Sequence, residues 1–139
     1  MRVFLDANVL FTAAHNPEGL SRLQFDLGRH KVVTLISSQL AVDEARANLR
    51  LKMPDKAVAL DPLVFFLEIV ETPLLAAPVL KLPDDDQLIF GAAVAARATH
   101  LLTGDKKHFG RYFEDPKRTG GIRIQMVRAF FSAVFGLKS

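Results

Sequence analysis

With 139 residues, half of them hydrophobic, the chain has enough apolar material to bury a core and reads as a single domain over 1–139. It contains no cysteine, which excludes disulfides, thiolate zinc sites and cysteine nucleophiles and fits a reducing cytoplasm. A formal net charge of +3 with a pI near 9.4 eases the approach to a polyanion without identifying one.

The opening run Arg2-Val3-Phe4-Leu5 is apolar, stops at Asp6, and is expected to be a buried strand followed by a helix through Val9-Leu10-Phe11, with Asn8 as the cap. An acid this early leaves no room for a signal-peptide apolar region, and no apolar run reaches the roughly 18 residues needed to span a bilayer, so a soluble cytoplasmic protein is expected. Asn16-Pro17-Glu18-Gly19 is turn chemistry, after which Leu20, Leu23, Phe25 and Leu27 suggest a helix that Gly28 stops. A second strand is expected over 31–36, with Ser37 or Ser38 capping a helix from Gln39 to Lys52 that Pro54 closes.

Between Asp55 and Leu80 the recurrence of Ala57, Leu60, Leu63, Val64 and Leu67 suggests another helix, followed by a short strand at 68–71. Asp84-Asp85-Asp86 then opens an apolar, alanine-rich helix over Leu88 to Ala98, where carboxylates favour the positive end of the helix dipole. Further strands are expected at 99–103 and 122–124, and a terminal apolar helix from Met126 to Leu137. Alternating strands and helices imply an α/β fold with a parallel sheet covered on both faces.

In such sheets, sites form beyond the carboxyl ends of the strands. Asp6 and Asp105 end two strands, Asp86 lies in the first turn of the helix between them, and Glu44 follows the second strand on its helix. Four converging carboxylates repel one another and call for cations, and oxygen ligands suit Mg²⁺ or Mn²⁺, one or two ions, with hydrolysis as the chemistry. Each acid also has a plain structural role available: a helix cap for Asp6, a solvated helix position for Glu44, dipole compensation for Asp86, a turn for Asp105. Lys106, Lys107 and Arg111 follow Asp105 and are candidates for binding substrate phosphates. His108 is a weaker candidate for proton transfer, because no carboxylate partner is evident from spacing.

The blocks Val3-Phe4-Leu5-Asp6-Ala7-Asn8-Val9-Leu10, Ser38-Gln39-Leu40-Ala41-Val42-Asp43-Glu44-Ala45, Asp86-Gln87-Leu88-Ile89 and His100-Leu101-Leu102-Thr103-Gly104-Asp105, with Phe109 soon after, stand in an order that resembles the PIN-domain nucleases, including VapC-type toxins. The resemblance covers the chain to about residue 113. It implies a three-layer α/β/α sandwich with a central, mainly parallel sheet and metal-dependent endoribonuclease activity. It also implies an RNA substrate, an antitoxin partner where the protein is a toxin, and a homodimer or higher assembly. By position it assigns Asp6, Glu44, Asp86 and Asp105 as catalytic and metal-binding residues, with Asn8 and Thr103 as supporting polar groups. Asp86 is preferred to Asp84 and Asp85 by register, and Glu44 to Asp43. Many relatives carry another acid just before the Phe that follows the last block, whereas this chain has Lys106-Lys107-His108-Phe109, and the segment 54–83 has no distinctive match.

Two other functions fit parts of the pattern. A silent RNA- or protein-binding module would use the acids as caps. A phospho-aspartate phosphatase or receiver-like domain would want an acid where Asn8 stands.

Overall fold

A computed structural model describes residues 1–73 and 80–136. Five strands, β1 (Arg2–Leu5), β2 (Thr34–Ser38), β3 (Glu68–Val70), β4 (His100–Leu102) and β5 (Arg123–Gln125), form one sheet in the order β3-β2-β1-β4-β5, and every neighbouring pair is parallel. The helices are α1 (Ala7–His15), α2 (Leu20–Arg29), α3 (Gln39–Lys52), α4 (Leu60–Val64), α5 (Asp84–Ala95), α6 (Lys106–Phe109) and α7 (Val127–Phe135). On β1, Val3 and Leu5 point to one face and Phe4 to the other, and all three are fully buried, so helices cover both sides of the central strand. This is the expected α/β/α arrangement, and among the described residues its sheet is wholly parallel.

The chain builds outward from β1 to β2 and β3, then returns across the sheet to lay β4 on the other flank of β1. The reversal leaves a crevice beyond the carboxyl ends of β1 and β4, where a doubly wound sheet places its site. Pairing of Leu5 with Leu102 sets Asp6 beside Thr103 as the two chains leave the sheet.

Several boundaries differ from the sequence expectation for physical reasons. The cap of α1 is Asp6, whose side chain accepts a bond from Ala7 N; Asn8 lies inside the helix and bonds elsewhere. Gly28 does not stop α2, which runs to Arg29; Lys31 in the left-handed region turns the chain. Gly28 instead lets α2 approach β2, since a Cβ there would lie 3.0 Å from Leu35 Cδ1. β2 consequently starts at Thr34 and continues through Ser37 and Ser38, both buried, whose hydroxyls are satisfied by Leu5 O and Ala41 N. Ser38 is thus the cap of α3, which has the expected span.

The helix expected after Asp55 is a 3₁₀ segment, Pro54–Ala59, continuing into the short α4. Leu60, Leu63 and Leu67 are buried as the spacing implies, and Pro62 falls in the first turn, where its missing N–H costs nothing. The end of α5 is Ala95, not Ala98, because Arg97 adopts a left-handed conformation that no glycine announced. β4 is shorter than 99–103, β5 lies one residue beyond 122–124, and α7 ends before the left-handed Gly136; Leu137 and the stretch 74–79 lie outside the described residues. No helix among the described residues is long and apolar enough to cross a membrane.

Candidate metal centre

The site begins with Asp6. Almost fully buried, it accepts bonds from Ala7 N at 2.7 Å to Oδ1 and from Thr103 Oγ1 at 2.8 Å and Asn8 Nδ2 at 3.2 Å to Oδ2. These donors hold the carboxylate in one orientation at the end of β1. Burial nevertheless pushes its pKa above the ordinary value, against those three hydrogen bonds and with help from the charge of Asp105.

Asn8 and Thr103 tie β1 to the loop after β4. Asn8 Nδ2 reaches Thr103 Oγ1 at 3.3 Å, its Oδ1 accepts from Gly104 N at 2.7 Å, and Thr103 Oγ1 accepts from Asp105 N at 3.1 Å. A Cβ on Gly104 would sit 3.4 Å from Asn8 Oδ1, so the glycine leaves this contact room. The two residues expected to support the acids therefore position Asp6 and the backbone of Asp105.

Asp105 caps α6, its Oδ1 accepting from His108 N at 3.0 Å while its Oδ2 lies 2.7 Å from His108 Nδ1. That ring nitrogen is also 3.2 Å from Asp86 Oδ2, so α5 and α6 meet through one imidazole. Burial alone would raise the Asp105 carboxyl, but the backbone and ring bonds from His108, its charge and Lys107 N bring it below the ordinary value. Asp86 goes the other way, to about 6, through burial first and then the charges of Asp6, Asp105 and Asp85, with His108 opposing. Asp86, Asp105 and His108 each offer a ligand atom, and all three atoms lie within 4.8 Å of one another.

Glu44, from the second turn of α3, stands at the open side of the group. Its carboxyl is raised by partial burial, then by the charges of Asp6, Asp85 and Asp86, which brings it into the electrostatic field of the other acids. Asp43, exposed like Glu44, takes a 2.8 Å bond from Gln39 on a different face of the helix. All four predicted acids thus gather electrostatically, with Asp86, Asp105 and His108 in direct proximity.

Two clefts flank the acids. One, of about 680 Å³, runs from Asn8, Thr103 and Asp105 to Arg128 at the start of α7. The other, of about 250 Å³, is lined by Asn8, Phe11, Glu44, Asn48 and Lys52, and the Lys52 ammonium lies 5.8 Å from the centre of the Phe11 ring. Lys106, Lys107 and Arg111 are exposed beyond Asp105, but the cations lining these clefts are Arg128 and Lys52. Sequence reasoning assigned neither to a cleft: Lys52 ends α3, the helix that carries Glu44, and Arg128 comes from the start of α7, and only the fold turns both toward the acids. Sequence reasoning also missed the partner of His108, although the three-residue spacing from Asp105 across a helix start was the available signal. His100, at the amino end of β4 and so away from the site, packs edge-on against Phe130.

Residues 2–107 match a family model described as the PIN domain. Among solved structures, VapBC2 from Rickettsia felis bound to a DNA fragment from their promoter aligns with TM-score 0.63 and 20% identity, covering 89% of this chain and 97% of that one. VapBC-1 from nontypeable Haemophilus influenzae aligns with TM-score 0.55 and 15% identity over 92% and 99% of the two chains. No curated protein matches the sequence significantly.

Proposed function

Since the chain belongs to the PIN-domain family, whose members include nucleases, we propose that it is a single-domain, metal-dependent endoribonuclease, with Asp6, Glu44, Asp86 and Asp105 as its catalytic acids. The observation that carries this reading is the raised carboxyl of Asp86 beside Asp6, Asp105 and Asp85 at the sheet's switch point, a concentration of negative charge that is costly unless a cation or proton offsets it. The donor set fits: carboxylate oxygens predominate, as Mg²⁺ or Mn²⁺ requires, and three candidate ligand atoms lie within 4.8 Å.

A divalent cation bound there supplies a Lewis acid that makes water a competent nucleophile at neutral pH and neutralises charge on the phosphate. The chain's own residues do the rest. Asp6 is held rigid by Ala7 N, Thr103 and Asn8, so that it presents charge without reorganisation. Glu44, at the open side with a raised pKa, accepts the proton of the attacking water. Arg128 in the larger cleft, Lys52 in the smaller, and Lys106, Lys107 and Arg111 on the rim bind phosphates on either side of the cleaved bond.

By analogy with the VapBC complexes, we further propose a cytoplasmic protein that acts as the toxin of a toxin–antitoxin pair and assembles with itself and an antitoxin. Incubation with labelled single-stranded RNA and DNA in Mn²⁺, Mg²⁺ or chelator, beside Asp6→Asn and Asp86→Asn, tests the activity. Cation-dependent cutting of RNA that both variants lose is the expected result. Binding of RNA without cutting under every condition would replace the reading with that of a silent binding module.

A further inference from the structure

His108 stands in the short helix α6, directly before the fully buried Phe109, and the structure gives that residue a specific position. Its Nδ1 lies 2.7 Å from Asp105 Oδ2 and 3.2 Å from Asp86 Oδ2. Adjacent ligands on an octahedral ion with bonds of about 2.1 Å stand about 3 Å apart and opposite ones about 4.2 Å; the ring nitrogen lies at the adjacent-ligand spacing from each carboxylate, and all three atoms lie within 4.8 Å of one another. A hydrogen bond accounts for either distance alone; the approach of one ring nitrogen to two carboxylates, one from α5 and one from the cap of α6, is also the arrangement that a shared cation uses.

The imidazole is also anchored. The His108 amide donates to Asp105 Oδ1, which leaves Oδ2 of the same carboxylate toward the ring, and the next residue, Phe109, is fully buried and pins α6 to the core. The His108, Asp86 and Asp105 side chains remain 36%, 18% and 24% exposed, so water and substrate retain access to the place where they meet.

We propose that His108 is a nitrogen ligand of the cation site, joining Asp86 and Asp105, and that it shifts the site's preference from Mg²⁺ toward Mn²⁺ and other borderline ions. The inference rests on the metal-dependent reading above. Carboxylate oxygens bind Mg²⁺ and Mn²⁺ alike, whereas an imidazole nitrogen adds little for the hard, strongly hydrated Mg²⁺ and more for later ions in the divalent series.

The test uses the full chain stripped of metal, with cation binding read by calorimetric titration of Mn²⁺ and of Mg²⁺, and the His108 ring followed by ¹⁵N NMR on adding diamagnetic Zn²⁺. The wild type is expected to bind Mn²⁺ at least about 10-fold more tightly than Mg²⁺, and His108→Ala to lose about 10-fold or more in Mn²⁺ affinity with Mg²⁺ affinity changed much less. His108→Asp restores an oxygen ligand and is expected to bring the two affinities together. Zn²⁺ should move the Nδ1 resonance of His108 itself. Circular dichroism confirms that each variant is folded, and His108→Asn serves if alanine is not tolerated.

Equal Mn²⁺ affinity in wild type and folded His108→Ala, or an unmoved ring resonance while Zn²⁺ binds, overturns the ligand assignment and leaves the four-acid reading standing. If the wild type binds none of the three cations, while remaining folded, both readings fall.

Discussion

Replacing Asp86 by Asn should stabilise the metal-free protein while destroying its cation site. The Asp86 carboxyl is displaced from 3.8 to about 6 by burial and by Asp6, Asp105 and Asp85, with His108 giving back part of the loss. That displacement corresponds to about 3 kcal/mol against the charged form at neutral pH, and water reaching the 18% exposed side chain reduces it to about 1–2 kcal/mol. Because the folded pKa lies above the unfolded one, the native state binds more protons between roughly pH 4 and 6. The Asp86 contribution is therefore fully favourable below the unfolded pKa and is lost as pH rises through the folded one. Asn keeps the shape and removes the charge. Urea denaturation in chelator should show Asp86→Asn more stable than wild type by about 1–2 kcal/mol at pH 7.5, with the difference closing toward pH 4. Saturating Mn²⁺ should stabilise the wild type and leave the variant unchanged. A variant less stable than wild type at pH 7.5 in chelator would refute the repulsive cluster and the need for a cation built on it.

Thr103→Val removes the 2.8 Å bond to the buried Asp6 carboxylate and the acceptor for Asp105 N, and should cost about 1–3 kcal/mol in urea denaturation, with Thr103→Ser much closer to wild type. Gly28→Val places a Cβ 3.0 Å from Leu35 Cδ1 and should lower stability by about 1–3 kcal/mol in thermal unfolding, with cation affinity unchanged in the folded protein. Arg128→Ala, which removes a cation from the larger cleft, should weaken RNA binding in fluorescence anisotropy and reduce the slope of log affinity against log salt by about one, with cation affinity unaltered.

Much of this site was legible along the chain because parallel α/β proteins place chemistry where strands end. An acid directly after a buried run, as at Asp6, or two residues beyond one, as at Asp105, carries positional meaning before any coordinates are known. Glu44 is different: nothing in its own neighbourhood separates it from Asp43, and its place rests on the family register and on the shared field of Asp6, Asp85 and Asp86. Boundaries were less legible where the backbone used unusual residues. Lys31 and Arg97 turn the chain in the left-handed region, a conformation ordinarily signalled by glycine, so the ends of α2 and α5 were misplaced by one to three residues.

Local sequence by itself determined the alternation of buried strands and covering helices, a serine cap at Ser37 or Ser38, and the identity of the acids available, because these depend on residues within one or two turns of each other. Only the tertiary structure decided that β4 lies against β1. That pairing sets Asp6 beside Thr103, lets Asn8 hold the loop of Gly104, and brings His108 of α6 within reach of Asp86 on α5. The four acids gain their shared electrostatics from the same crossover. Their repulsion is a property of distance in space, and no spacing along the chain sets it.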